Sequence, residues 1–213
     1  MPLERVAKGE DRIMFLRNTE SNYGAVTIVI HWLMALLIIG LFALGLYMTG
    51  LDYYHPWYKK GPDLHRSLGV LMLLMLLLRL LWRSLNPIPR PLGRDPAWMH
   101  RVAAAVHGAL YLLLLAIAVS GYLISTADGR GIPVFNLFIL PAMLPPVEQM
   151  ADRAGLVHQW LAYILMGLVA LHALAALKHH FIDHDATLMR MLGRPAAMDG
   201  RFDIDTNTSK EMT

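Results

Sequence analysis

VTIVIHWLMALLIIGLFALGLYM, from Val26 to Met48, is the stretch that decides the fold class of this chain. A helix rises about 1.5 Å per residue and the hydrocarbon layer is about 30 Å thick, so roughly 20 apolar residues cross it. The stretch has that length and carries no acidic or basic residue, and its one strongly polar side chain is His31. Three further windows meet the same test: about Pro62 to Trp82, Val102 to Ile124 and Gly155 to Leu177. Pro62 is expected to open its helix, where a missing N–H has no partner to lose.

Composition agrees with a membrane class. Of 213 residues 56% are apolar, and mean hydropathy is +0.43, far above a soluble domain of this size. The net charge of +3 does not point to nucleic acid, because the basic residues lie between apolar stretches and form no stripe with interleaved aromatics. There is no cysteine, which excludes disulfides, thiolate metal sites and covalent haem attachment. The first residues carry both charge signs and no apolar core, so they read as a cytosolic tail and not as a signal peptide.

Between the third and fourth windows, Ser125 to Arg153 is rich in Gly and Pro. It is expected to be an exposed loop with a short surface helix around Pro146 to Ala154. The whole then divides into a cytoplasmic tail over 1–22, a four-helix membrane bundle over 23–193 and a disordered cytoplasmic tail over 194–213.

Orientation follows from Lys and Arg near the span ends. Arg5, Lys8, Arg12 and Arg17 precede the first span; Arg79, Arg83, Arg90, Arg94 and Arg101 surround the second connection; Lys178, Arg190, Arg194, Arg201 and Lys210 follow the fourth. The other side has only Lys59, Lys60, Arg66, Arg130 and Arg153, so both termini are expected to be cytoplasmic. Tyr53, Tyr54, Trp57 and Tyr58 then form an aromatic belt at the outer surface.

Ionisable residues inside a membrane are costly and default to functional candidates. His31 lies near the inner end of the first span and His172 near the inner end of the fourth, each roughly 8 to 9 Å deep by the helical rise. His65 and His158 lie about one turn in from the outer ends of the second and fourth. His158 and His172 share a helix face about 21 Å apart, so one metal cannot engage all four. Two sites, each with two imidazoles from different helices, suit a flat cofactor ligated on both faces, as in bis-histidine haem. Zinc requires more converging ligands, and no set of acids or cysteines is expected to complete a tetrahedron at either pair.

Plainer readings stand beside this one. A membrane histidine can be a hydrogen-bonded packing residue. His107 reads first as packing, with inner ligand, propionate donor and quinone contact as alternatives. His55 and His100 read as solvated. His179-His180-Phe181-Ile182-Asp183-His184-Asp185 reads as a basic surface segment, or as the metal cluster of a transporter. Arg79 and Arg83 are expected to snorkel to lipid phosphates, with haem propionates as the alternative.

The segments around these histidines carry a family resemblance. Ile30-His31-Trp32-Leu33, Leu64-His65-Arg66-Ser67-Leu68-Gly69, Val106-His107-Gly108-Ala109-Leu110-Tyr111, Val157-His158-Gln159-Trp160 and Leu171-His172-Ala173-Leu174, in that order and spacing, resemble the bacterial diheme cytochrome b561 family. The likeness covers about Tyr23 to Gly193. It implies a four-helix bundle in the bacterial inner membrane enclosing two haem b groups. His31 and His172 would ligate the inner one and His65 and His158 the outer. The resemblance further implies electron exchange with ubiquinone in the membrane and, in one branch, one-electron oxidation of superoxide at the outer face. Lys59, Lys60 and Arg66 are then candidates for steering that donor. A carrier subunit serving a separate periplasmic redox partner is the rival reading, and a metal or small-solute transporter the third.

Overall fold

The computed structural model describes residues 16–92 and 96–194. Four long helices dominate: α1 (Ala25–Thr49), α2 (Trp57–Ser84), α3 (Ala97–Ser125) and α4 (Met150–Phe181). All four are long and apolar enough to cross a membrane. Most of their large apolar side chains face outward, Leu36, Leu112 and Leu171 among them, as a surface solvated by lipid requires. Of the tails expected over 1–22 and 194–213, residues 1–15 and 195–213 lie outside the described residues.

α2, α3 and α4 each start about five residues before the apolar windows. Helix hydrogen bonding does not stop at the hydrocarbon edge, so polar first turns such as Trp57–Gly61 continue the rod into the interface. Pro62 consequently sits inside α2 and not at its start. Its ring leaves the Tyr58 carbonyl without a helical donor, a loss that interfacial water can make good. The separate surface helix expected around Pro146 to Ala154 is absent; Gln149, with φ of 59°, caps α4 directly.

The third connection is also not a plain exposed loop. Ile132–Val134 (β1) and Phe138–Leu140 (β2) pair antiparallel, Ile132 opposite Leu140. Their turn has Phe135 and Asn136 both at positive φ, the left-handed pair that tight hairpins use. Ile132 and Val134 are each 3% exposed, and the Phe135 N–H donates to the Ser67 hydroxyl of α2 over 3.0 Å. The hairpin is thus pinned to α2 two residues beyond His65.

The helices form two tightly packed hairpins, α1 with α2 and α3 with α4, joined along α2 and α3. Ile30, Met34, Met72, Leu76, Leu114 and Leu165 form the apolar centre, Leu76 being only 1% exposed. At the end opposite the β-hairpin, the short α5 (Thr187–Met191) folds back under the bundle. Trp32 Nε1 donates to the Met191 carbonyl (2.8 Å), and Arg190 Nη1 to the Arg90 carbonyl (2.8 Å). Gly24 precedes α1 where the chain crosses Leu16 and Arg17 so closely that a Cβ would lie 2.4 Å from their backbone.

Candidate haem sites

A fourteen-residue interval organises the interior, because it closes nearly four turns and returns to almost the same helix face about 21 Å along. His158 and His172 are so spaced on α4, and the interval recurs on each other span: His31 and Gly45 on α1, His65 and Arg79 on α2, His107 and Gly121 on α3. Two layers result. At the hairpin end Gly45, His65, Gly121 and His158 come together; at the termini end, His31, Arg79, His107 and His172. Leu165, 4% exposed, stands midway on α4 between them.

At the termini end the rings of His31 and His172 face each other with centres 6.3 Å apart and planes at 71°. At the hairpin end His65 and His158 repeat this at 6.2 Å and 71°. A transition metal lies about 2.0 Å from each imidazole nitrogen, and that nitrogen about 1.15 Å from its ring centre, so a linear nitrogen–metal–nitrogen arrangement spans about 6.3 Å. Both pairs therefore fit a flat metal cofactor gripped from its two faces. His107 lies 5.2 Å from His172, too close for that arrangement, and its Nδ1–H donates to the Ala103 carbonyl over 2.6 Å.

Neighbouring groups prepare these rings. His158 Nδ1 is 3.1 Å from the Ile117 carbonyl and 3.0 Å from the Ser120 hydroxyl, which itself donates to Ile117. A carbonyl only accepts, so Nδ1 carries the proton and Nε2 keeps the lone pair a metal needs. His65 Nδ1 is buried without a hydrogen-bond partner. Glycine permits the close approach: a Cβ at Gly45 would meet His65 Cε1 at 3.5 Å, and one at Gly121 would meet His158 Cε1 at 3.2 Å. Ser120 was not singled out from sequence; Gly45 and Gly121 are among the span glycines that suit close approach of a flat cofactor, but sequence did not assign them to particular rings. The fourteen-residue interval measured from His31 and His107 would have found Gly45 and Gly121.

Arg79 departs from expectation. It turns inward, its Nε donates to the Tyr111 hydroxyl over 3.2 Å, and its Nη1 is buried without a partner. Arg83, four residues on, is exposed, as snorkelling predicts. The segment from the last turn of α4 to Asp185 is not a simple basic patch. Lys178 Nζ pairs with Asp183 (2.6 Å), and His179 Nδ1 with Asp185 (2.9 Å). The Lys178 ammonium holds the Asp183 carboxyl below the usual range. Among the described residues no group of three or more His or acidic side chains is arranged to hold a metal ion. The candidate steering cations also divide. Arg66 pairs with Asp63, as Arg130 does with Asp128, while Lys59 and Lys60 are exposed and form no ion pair among the described residues. Of the residues expected in the aromatic belt, Tyr53 is stacked edge-on against Tyr54 and Tyr58.

Four membrane-length helices that bring imidazole pairs together at two levels form a framework suited to a membrane-embedded haem protein. The chain belongs to the prokaryotic cytochrome b561 family, whose model matches residues 22–194. It is 49% identical over 184 residues to cytochrome b561 homolog 2 of Escherichia coli (strain K12), covering 86% of this chain and 98% of that one. It is 32% identical over 177 residues to the probable superoxide oxidase CybB of Yersinia pestis, covering 80% and 96%. Cytochrome b561 homolog 1 of Escherichia coli (strain K12) is 26% identical over 181 residues, covering 82% and 98%. The family is a four-helix haem-binding bundle that carries out transmembrane electron transfer in the bacterial inner membrane.

Proposed function

We propose that the chain holds two haem b groups, one between His31 and His172 and one between His65 and His158, and passes electrons between a one-electron donor outside the cell membrane and ubiquinone within it. The observation that carries this is the pair of matched ring separations, 6.3 and 6.2 Å, at the two ends of one bundle. When bound, haem iron supplies the one-electron redox chemistry. The chain's residues do the rest. Ser120 and Ile117 hold His158 in the tautomer that presents Nε2. Met34, Leu76 and Leu165 keep the region between the two layers dry. Residues 23–193 form the membrane domain in this reading, with 1–22 and 194–213 as cytoplasmic flanks. The excess of Lys and Arg at the termini end supports that orientation.

Superoxide is the donor that the superoxide-oxidase relative suggests, with Lys59 and Lys60 offering the exposed positive charge an anion needs. A carrier role for a separate periplasmic partner is favoured by a different observation. Arg66 and Arg130 are already ion-paired, while Tyr53, Tyr54, Leu137 and Phe138 offer exposed aromatic and apolar surface at the same end of the bundle.

The test is haem content and reduced spectrum of the purified protein. His31→Ala or His172→Ala should remove one haem, and His65→Ala or His158→Ala the other. Retention of two haems in any of these variants would overturn the assignment.

A further inference from the structure

Arg79 is a cation inside a span with no partner of opposite charge among the described residues. No acidic residue occurs in α1 or α3, and the single acids of α2 and α4, Asp63 and Asp152, stand at the hairpin end. Burying a charge costs several kcal/mol unless a counter-charge meets it. The layer comparison narrows where that counter-charge comes from. At the hairpin end, the two helices without a histidine of the pair contribute Gly45 and Gly121, which only make room. At the termini end the equivalent helices contribute Arg79 and His107. Tyr111 holds the Arg79 guanidinium through Nε and leaves Nη1 uncommitted.

We propose that Arg79 is an oxyanion-binding residue that takes a carboxylate of the group held by His31 and His172, with Tyr111 as its positioning residue. The inference rests on the haem reading of that pair. Nη1 donates to the carboxylate, and the fixed positive charge favours the more electron-rich state of the site. The termini-end haem is therefore easier to reduce than it would be in a bundle lacking the charge. A lipid phosphate offers the same oxyanion chemistry, so the experiment separates the two sources.

Redox titration of the purified holoprotein, followed at the reduced band, reads the midpoint of each haem. Arg79→Gln should make one of the two haems harder to reduce, by about tenfold in the reduction equilibrium, or about 59 mV for one electron. Arg79→Lys should restore most of the shift, because it keeps the charge but not the fork. Tyr111→Phe should move the same haem in the same direction by less. It also keeps the test open if Arg79→Gln does not assemble. A shift that persists in delipidated detergent, and a redox-linked carboxylate infrared band that Arg79→Gln alters, assign the oxyanion to the cofactor. A shift seen only in anionic-lipid nanodiscs and lost in detergent would overturn the cofactor assignment in favour of lipid phosphate. Unchanged midpoints in both variants, with two haems present, would sink the Arg79 proposal alone. A parent protein with fewer than two haems, or a His31→Ala variant that keeps both, would sink the haem reading beneath it.

Discussion

Gly121→Ala puts the spacing of the hairpin-end site to a graded test. A Cβ at this position meets His158 Cε1 at 3.2 Å and Nδ1 at 3.5 Å, a few tenths of an ångström tighter than ordinary contact. The ring has little freedom to yield, since moving away from Gly121 would stretch the hydrogen bonds by which Ile117 and Ser120 of the same helix hold Nδ1. Its separation from His65, 6.2 Å, is close to what a metal held between two imidazoles would need, so displacement of the ring would weaken the hold on the cofactor. Overpacking of this kind costs about 1 to 3 kcal/mol, which is roughly 5- to 150-fold in affinity at 1.4 kcal/mol per tenfold. Gly45→Ala is the internal control. Its Cβ would stand 3.5 Å from His65 Cε1, an ordinary contact, and should be tolerated. Haem content by pyridine haemochrome and the rate of haem release to apomyoglobin measure both. Gly121→Ala should release one of its two haems faster than the parent by that factor, and Gly45→Ala should match the parent. Equal behaviour of the two variants would refute the claim that the glycines fit the rings.

His107→Gln should leave two low-spin haems, because its ring is 5.2 Å from His172 and its Nδ1–H is engaged by Ala103. A high-spin spectrum at one site would mean that the His31 pairing is wrong, and slower quinone reduction with intact spectra would give His107 a quinone role. Lys59→Glu with Lys60→Glu should slow stopped-flow reduction by superoxide, and raised salt should slow the parent more than the variant, since exposed charges steer and are screened. Reduction indifferent to salt and to both substitutions would remove the lysines from the encounter, and no reduction of the parent would favour the carrier role.

The four spans and the depth pairing of His31 with His172 and of His65 with His158 were legible because both follow from one-dimensional quantities. Apolar run length sets whether a helix can cross, and the 1.5 Å rise sets how deep each residue lies. The β-hairpin was not legible. Its turn uses Phe135 and Asn136 where the usual signal is Asn-Gly or Asp-Gly. Its strands are three residues long, and they are held by burial of Ile132 and Val134 against α2, a contact no local pattern announces. The inward turn of Arg79 was equally hidden: residues on one helix face share a direction, but whether that direction is lipid or interior depends on how the neighbouring helix is rotated. Here Tyr111 of α3 meets the guanidinium and Arg83 is left at the surface. Sequence alone determined how far along the membrane each chemical group stands. Only the tertiary structure decided which groups face one another, because helix rotation and packing are settled by contacts between spans and not within them.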